Sequence, residues 1–181
     1  MKGVVFTEFM TMVEEQFGMD MMDTLIDNTA PASGGAYTAV GTYDYQELVN
    51  MVVELSKQVD IEVPTLIKAF GNYLGGVFST KFSSFFEDAD NTIGLLKQID
   101  NHIHVEVRKL YPDAELPVFS FDESDPECFV LRYESSRGFA DLAEGLIEAT
   151  SKYYQESFDI SRTDEESDGK HIAHFTLKLQ P

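Results

Sequence analysis

The hydrophobic pattern of the chain changes its period once, at Pro112, and this change restricts the fold class more than any other feature. Before Pro112, apolar residues recur at steps of three and four, which indicates amphipathic helices. After it, short runs alternate between apolar and polar residues, which indicates strands, with one further helix predicted from about Gly138 to Tyr154. The pattern therefore predicts an α+β fold: a helical part over about 1–112, and a small antiparallel sheet with helices over about 113–181.

The composition limits the size of the domain, the classes of ligand and the expected cellular location. The 181 residues suit a single domain over 1–181, and 43% of them are hydrophobic, which is enough for a core. Thirteen basic against thirty-two acidic residues give a formal net charge of −19, which argues against binding to nucleic acid or to anionic lipid. The single cysteine, Cys128, excludes an internal disulfide. With no signal peptide and no membrane-spanning apolar run, the cytoplasm is the expected location.

Turn and cap signals divide both parts into elements. Helices are predicted around residues 6–17, 19–28, 45–55 and 64–74. Gly18 is expected to close the first helix, and the pair Asp44 and Glu47 is expected to cap the third. Strands are predicted at residues 118–121, 128–133, 158–162 and 171–179. Asp168-Gly169 favours a tight hairpin turn between the last two strands.

One long helix is predicted from Asn91 to Leu110, and the pair Tyr111-Pro112 ends it. Its apolar residues step by three or four positions, the spacing of one buried face; they are Leu96, Ile99, Ile103, Val107 and Leu110. The helix carries His102 on a polar flank and His104 beside the buried face. On an α-helix the two side chains point about 160° apart, so they cannot share a metal ion.

His104 has two interpretations on this pattern alone. The more frequent case is a histidine at the edge of a hydrophobic core. The other is an axial ligand to the iron of a porphyrin, which needs a neutral imidazole facing an apolar cavity. Asp100 lies one helical turn before it. The helix by itself does not decide between the two.

A second polar motif, Tyr133-Glu134-Ser135-Ser136-Arg137, follows the second predicted strand. In an extended segment Tyr133, Ser135 and Arg137 project from one side, which is the side of the apolar residues Phe129 and Leu131. A permanently charged guanidinium on a buried side needs an anion, and the two propionates of a haem would supply one. The alternative is an exposed arginine, with Ser135 or Ser136 only capping the next helix.

These two motifs together resemble the haem nitric-oxide/oxygen-binding (H-NOX) domain family, which includes the sensor domain of soluble guanylate cyclase. His104 lies seven residues before the Tyr111-Pro112 pair, and Tyr133, Ser135 and Arg137 match the family's Tyr-x-Ser-x-Arg motif. The opening residues 1–6 and the chain length also resemble stand-alone bacterial members. The resemblance extends over the whole chain.

The resemblance implies a cofactor and the residues that bind it. Haem b, iron protoporphyrin IX, is expected between the helical part and the sheet-containing part, with His104 as the protein ligand to the iron. Tyr133, Ser135 and Arg137 are expected to bind the propionates, and Pro117 to press on the haem. The distal pocket is expected to contain Val5, Phe9, Leu74, Leu142 and Leu146. Some relatives carry a cysteine-rich zinc site, which Cys128 alone cannot form, so no zinc is expected.

The resemblance also implies a function. Oxygen-binding members carry a tyrosine five residues after the motif arginine, and Leu142 occupies that position here. An apolar distal pocket disfavours oxygen and leaves nitric oxide, and also carbon monoxide, as ligands. Release of His104 is then expected to signal to a separate effector, such as a histidine kinase or a cyclic-di-GMP enzyme, without catalysis.

Three other functions fit the sequence less well. A haem enzyme such as a peroxidase needs a distal acid–base group, and no histidine–arginine pair is visible for it. An oxygen-binding haem protein needs a distal donor, which Tyr153 or Tyr154 could supply only from positions outside the family pattern. A haem-free interaction domain would leave Arg137 without its buried anion.

Overall fold

The structure, a computed structural model, describes residues 1–180 and confirms the predicted α+β fold class. The helices are α1 (Gly3–Phe17), α2 (Met19–Thr29), α3 (Tyr45–Val59), α4 (Val63–Lys81), α5 (Ser83–Glu87), α6 (Thr92–Lys97), α7 (His104–Leu110) and α8 (Ala140–Tyr153). A π-helical segment, Ile99–Ile103, directly precedes α7. The strands are β1 (Val118–Asp122), β2 (Phe129–Ser135), β3 (Phe158–Ser167) and β4 (Lys170–Leu179).

The chain divides into two compact units, and the boundary falls within α4. We call Met1–Phe70 the N-terminal unit and the part that begins at Gly71 the C-terminal unit. The boundary precedes Pro112, where the hydrophobic period changes, because α6 contacts α8 and the π-helical segment contacts β1. The single domain expected over residues 1–181 stays a prediction. Among residues 1–180, no helix combines the length and the apolar character needed to cross a membrane.

The N-terminal unit buries one apolar face of each of its helices, as the period of three and four predicts. Its fully buried side chains include Phe6, Phe9, Met12, Leu25, Leu48, Met51 and Leu55. Gly18 follows α1 with a φ of 90°, a left-handed value that suits glycine. The carboxylate of Asp44 caps α3 by accepting from the amide of Gln46 at 3.0 Å. Both predicted helix boundaries are therefore confirmed.

An aromatic cluster and a carboxylate fix the loop between α2 and α3. The ring of Phe6 stacks on Tyr37, with 4.5 Å between centroids, and Tyr43 meets Tyr37 edge-on at 4.8 Å. Oε2 of Glu47 accepts hydrogen bonds from the hydroxyls of Ser33, at 2.6 Å, and Tyr37, at 2.7 Å. The predicted capping pair is therefore wrong in its second member, because the observed side-chain cap is the bond of Asp44 to Gln46 and the Glu47 side chain binds the loop hydroxyls through Oε2.

The C-terminal unit is built on a four-stranded antiparallel sheet of order β1-β2-β4-β3. Helix α8 covers one face, where Ala143 and Ile147 pack with buried residues of α6 and of the sheet: Leu96, Phe129, Leu131, Tyr133, Ala173, Phe175 and Leu177. Asp168 and Gly169 both have positive φ, and they join β3 to β4 as predicted. Strand β3 reaches Ser167, beyond the predicted end at residue 162, because its pairing with β4 continues to the turn.

The prediction of one regular α-helix from Asn91 to Leu110 is wrong. The amides of Ile103 and His104 donate to the carbonyls of Gln98 and Ile99, five residues earlier rather than four. This π-helical turn adds a residue, so positions counted on α-helical spacing across it no longer share a face. Leu110, the last residue of α7, was predicted to be buried and is 69% exposed.

Candidate functional site

His104 occupies the first position of α7, directly after the π-helical segment, and only 8% of it is exposed. Its Nδ1 lies 2.7 Å from Oδ1 of Asp100. Because Nδ1 is engaged, Nε2 is the ring nitrogen left for a metal ion. Burial lowers the pKa of His104 below its ordinary value. The hydrogen bond with Asp100 raises the pKa, but this effect is smaller than that of burial. The neutral ring that results is the form that binds a metal.

His102 has different surroundings. Its ring meets Phe85 edge-on, with 5.3 Å between centroids, and its Nδ1 lies 3.4 Å from Oε1 of Gln98. The expectation of a polar flank is therefore wrong in part, because Phe85 covers one edge of the ring. Among residues 1–180, no group of three or more His, Cys, Asp and Glu side chains is arranged to hold a metal ion. One buried histidine, such as His104, suits a metal whose other ligands come from a cofactor.

Tyr133 and Ser135 lie at the end of β2, next to the residues that surround His104. Tyr133 is buried, and its hydroxyl accepts from the amide of Phe139 at 3.1 Å. Burial raises the pKa of Tyr133, so its phenol stays protonated. The ring of Phe119 lies 5.6 Å from that of Tyr133 and 5.8 Å from that of His104. The two motifs predicted separately are thus brought together around one residue of β1.

Arg137 is paired with a carboxylate that the sequence analysis did not identify. Its guanidinium forms an ion pair with Glu115, and Nη1 also donates to the carbonyl of Glu115 at 3.5 Å. The Arg137 side chain is 16% exposed, whereas that of Glu115 is 74% exposed. The expectation that Arg137 lacks an anion unless a haem is bound is therefore wrong. Arg137 can bind a carboxylate in this position, and Glu115 is one available partner.

The amide of Arg137 donates to Oγ of Ser135 at 3.1 Å. This local bond orients the backbone between β2 and α8. It does not cap α8, whose N-cap is Phe139, so the capping role that the alternative interpretation gave to Ser135 is wrong. Pro117 immediately precedes β1 and is partly buried. Its expected contact with a haem stays a prediction.

The predicted distal residues of the C-terminal unit lie on two helices in close contact. A Cβ at Gly71 of α4 would lie 2.3 Å from the carbonyl oxygen of Leu142, and one at Gly75 would lie 3.7 Å from Cδ2 of Leu146. Leu74 is buried on α4, and Leu142 and Leu146 are partly buried on α8. The glycines therefore allow α8 to approach α4 at the level of these leucines.

Val5 and Phe9, the other predicted distal residues, belong to α1 in the N-terminal unit. Val5 is partly buried. Phe9 is buried, and its ring meets Phe70 edge-on with 5.4 Å between centroids. Their role in a gas pocket stays a prediction.

The two tyrosines near the end of α8 have other contacts. The hydroxyl of Tyr154 donates to the carbonyl of Phe86 at 2.6 Å. The ring of Tyr153 lies 5.0 Å from that of Phe86, and 41% of this residue is exposed. The hydroxyl of Tyr154 is thus already engaged in a backbone contact.

Asp100, Glu115 and Phe119 are the residues of this region to which sequence reasoning gave no role. Asp100 precedes His104 by four positions, a spacing at which helical side chains meet, so the sequence places it beside His104, and the structure shows the bond between them. Glu115 meets Arg137 across 22 residues, and Phe119 lies on a different element from His104. Neither contact leaves a local signal.

Comparison with known proteins gave a consistent result. A family model described as Haem-NO-binding matches residues 2–162. The H-NOX protein from Shewanella woodyi, bound to IWP-051 in the Fe(II)CO state, is 40% identical, with 100% of this chain and 95% of that chain covered and a TM-score of 0.84. The unliganded Fe(II) H-NOX protein from K. algicida is 33% identical, with 100% and 97% covered and a TM-score of 0.92.

A third structure, the H-NOX protein from S. oneidensis in the Fe(II)NO state, is 27% identical, with 100% of both chains covered and a TM-score of 0.91. A search of curated proteins gave no match. The residues of the C-terminal unit fit a haem, because a buried neutral imidazole has Nε2 available and Arg137 can pair with a carboxylate. The family model spans most of the sequence, and the chain therefore belongs to the H-NOX family of haem-binding gas-sensor domains.

Proposed function

We propose that the protein is a nitric-oxide sensor in which His104 is the only protein ligand to the iron of haem b, and in which its release is the signal. The observation that carries the proposal is the environment of His104, a buried imidazole with Nδ1 bonded to Asp100 and Nε2 available. When bound, the haem supplies the iron to which the gas binds.

The choice of gas depends on hydrogen-bond donors opposite His104. Leu142 stands where oxygen-binding members carry a tyrosine, and the hydroxyl of Tyr154 is engaged by the carbonyl of Phe86. Bound oxygen needs a donor, whereas nitric oxide and carbon monoxide do not. Structures of two similar H-NOX proteins, in the Fe(II)NO and Fe(II)CO states, support these gases as ligands.

Three residues are proposed to hold the haem propionates. Arg137 forms charge-assisted hydrogen bonds, and Tyr133 and Ser135 add neutral donors. In this proposal Arg137 releases Glu115 and pairs with a propionate instead. The carboxylate of Glu115 is exposed, so it remains solvated after the exchange.

The output is a change of conformation rather than catalysis. With haem bound, His104 would hold the iron from α7, and its release on binding of nitric oxide would free α7, which begins at this residue. A separate effector, such as a histidine kinase or a cyclic-di-GMP enzyme, responds to that change. The single cysteine, Cys128, suits the reducing cytoplasm in which such an effector would act.

Absorption spectroscopy of the purified protein tests the proposal. We expect a ferrous haem that is unchanged in air and takes up nitric oxide. We expect His104→Gly to lose haem, and the matched control His102→Ala to retain it. Colourless wild-type protein would refute a haem sensor, and uptake of oxygen in air would favour the oxygen-binding alternative. Equal haem loss in both variants would refute the ligand assignment.

A further inference from the structure

The carboxylate of Asp100 joins three elements. Its Oδ1 lies 2.7 Å from Nδ1 of His104, and its Oδ2 accepts from the amide of Phe119 at 2.8 Å. Asp100 belongs to the π-helical segment, His104 begins α7, and Phe119 is the second residue of β1. One side chain therefore connects the proposed iron ligand to a strand 19 residues away.

The amide of Phe119 is available to Asp100 because of its place in the sheet. Strand β1 is at one edge and pairs only with β2 among the described strands. Alternate amides of an edge strand point away from the sheet and need a partner outside it. Asp100 supplies that partner, so its second oxygen is held by the backbone of β1 rather than by solvent.

We propose that Asp100 is a positioning residue that strengthens the bond between His104 and iron and couples the release of His104 to strand β1. The inference rests on the proposed function, in which His104 is the ligand. A carboxylate that accepts from the second ring nitrogen of a histidine fixes its orientation and makes it a stronger donor. His104 cannot leave its position without changing its bond to Asp100, and Asp100 is held to Phe119 at its other oxygen.

Asp100→Ala, Asp100→Asn and the control Glu106→Gln test the coupling in the haem-loaded protein. Glu106 is a carboxylate on α7 that pairs with Lys109, so its variant removes one charge from the same region. We expect Asp100→Ala to weaken haem affinity about 10- to 100-fold. We also expect it to lower the iron–histidine stretching frequency and to increase the fraction of nitric-oxide complex without histidine. Asp100→Asn should shift both signals less, and Glu106→Gln should shift neither.

Hydrogen exchange at the Phe119 amide gives an independent readout. In the wild-type protein this amide should exchange slowly in the ferrous state and faster after nitric oxide is added. In Asp100→Ala it should exchange fast in both states, whereas Glu106→Gln should behave as the wild type does. If Asp100→Ala does not fold, the same readouts on Asp100→Asn decide.

An unchanged iron–histidine frequency together with an unchanged Phe119 exchange rate in the Asp100 variants would overturn the coupling. The function would still stand if His104→Gly lost its haem in parallel. Haem retention by His104→Gly would overturn both the function and the coupling that rests on it.

Discussion

Each unit contains a carboxylate that accepts hydrogen bonds from two partners, and the partners differ. In the N-terminal unit, Glu47 binds the hydroxyls of Ser33 and Tyr37, so its carboxylate fixes a loop. In the C-terminal unit, Asp100 binds an imidazole and the backbone of an edge strand. A carboxylate therefore holds a loop in place in the N-terminal unit and holds the imidazole of His104 in place in the C-terminal unit. The two carboxylates differ in their partners, which are loop hydroxyls for Glu47 and an imidazole with a strand amide for Asp100.

Removing an aromatic side chain from the N-terminal unit should have the largest effect on stability. Phe6 is fully buried and stacks on Tyr37, so Phe6→Ala should lower the free energy of unfolding by about 3–5 kcal/mol. The exposed Val40 provides a control, since Val40→Ala should change it by less than about 0.5 kcal/mol. Chemical denaturation measures both. A loss below about 1 kcal/mol for Phe6→Ala would show that this unit does not depend on its aromatic packing.

Gly71, the first residue of the C-terminal unit, should tolerate no side chain. A Cβ there would lie 2.3 Å from the carbonyl of Leu142, so Gly71→Ala should cost about 1–3 kcal/mol. Gly76 lies on the same helix with nothing within 4 Å of the new Cβ, so Gly76→Ala should gain up to about 1 kcal/mol. Thermal unfolding of the two variants separates these effects. Equal gains would argue against close contact between α4 and α8.

A tyrosine in each unit should make stability fall at alkaline pH. Burial is the main cause that raises the pKa of both Tyr37 and Tyr154 to about 12. Because these values exceed the unfolded value of 10.0, the stabilisation is fully present below pH 10 and is lost as the pH rises towards 12. Tyr37→Phe and Tyr154→Phe should each cost about 1 kcal/mol near neutral pH and weaken the alkaline loss.

Unfolding free energies measured across this pH range test the two tyrosines. The N-terminal and C-terminal variants should behave alike, because burial is the leading cause in each. If only one variant changed the slope of the unfolding free energy against pH in the alkaline range, the two units would differ in how they keep a phenol protonated.

The smallest change in stability is expected at Glu115. Its carboxylate is exposed, so Glu115→Gln should alter the free energy of unfolding by less than about 1 kcal/mol. Haem should nevertheless be retained slightly better, because Arg137 loses a competing partner, whereas Arg137→Ala should retain it less well. Transfer of haem to apomyoglobin measures retention. Equal weakening in the two variants would mean that Glu115 helps to hold the cofactor.

Local signals predicted most of the elements and fewer of the contacts. The starts of β1 and β3, the Asp168-Gly169 turn and the caps at Gly18 and Asp44 follow from backbone preferences within a few residues, and all are confirmed. The π-helical turn was not predicted, because apolar spacing describes a face but not the carbonyl to which an amide donates.

The candidate site shows the same limit. The apolar spacing could not decide whether His104 is a core histidine or a metal ligand. The resemblance to the family favoured the ligand. The structure adds two contacts that neither contained: the carboxylate of Asp100 also binds the amide of Phe119, and Glu115 pairs with Arg137. Asp100 and Phe119 are 19 positions apart, and Glu115 and Arg137 are 22 apart, so no pattern within one helix or strand records these two contacts.

The strand order has a consequence for biosynthesis. Strand β4 is made after β2 and β3, yet it lies between them, and its Ala173 pairs with Tyr133 of β2. A nascent chain that has emerged only as far as α8 contains β1 and β2 but not β4. Strand β2 is then paired along only one of its two edges. The strand that carries Tyr133 therefore gains its second neighbour only after β4 has been synthesised, and the sheet reaches its final order late in translation.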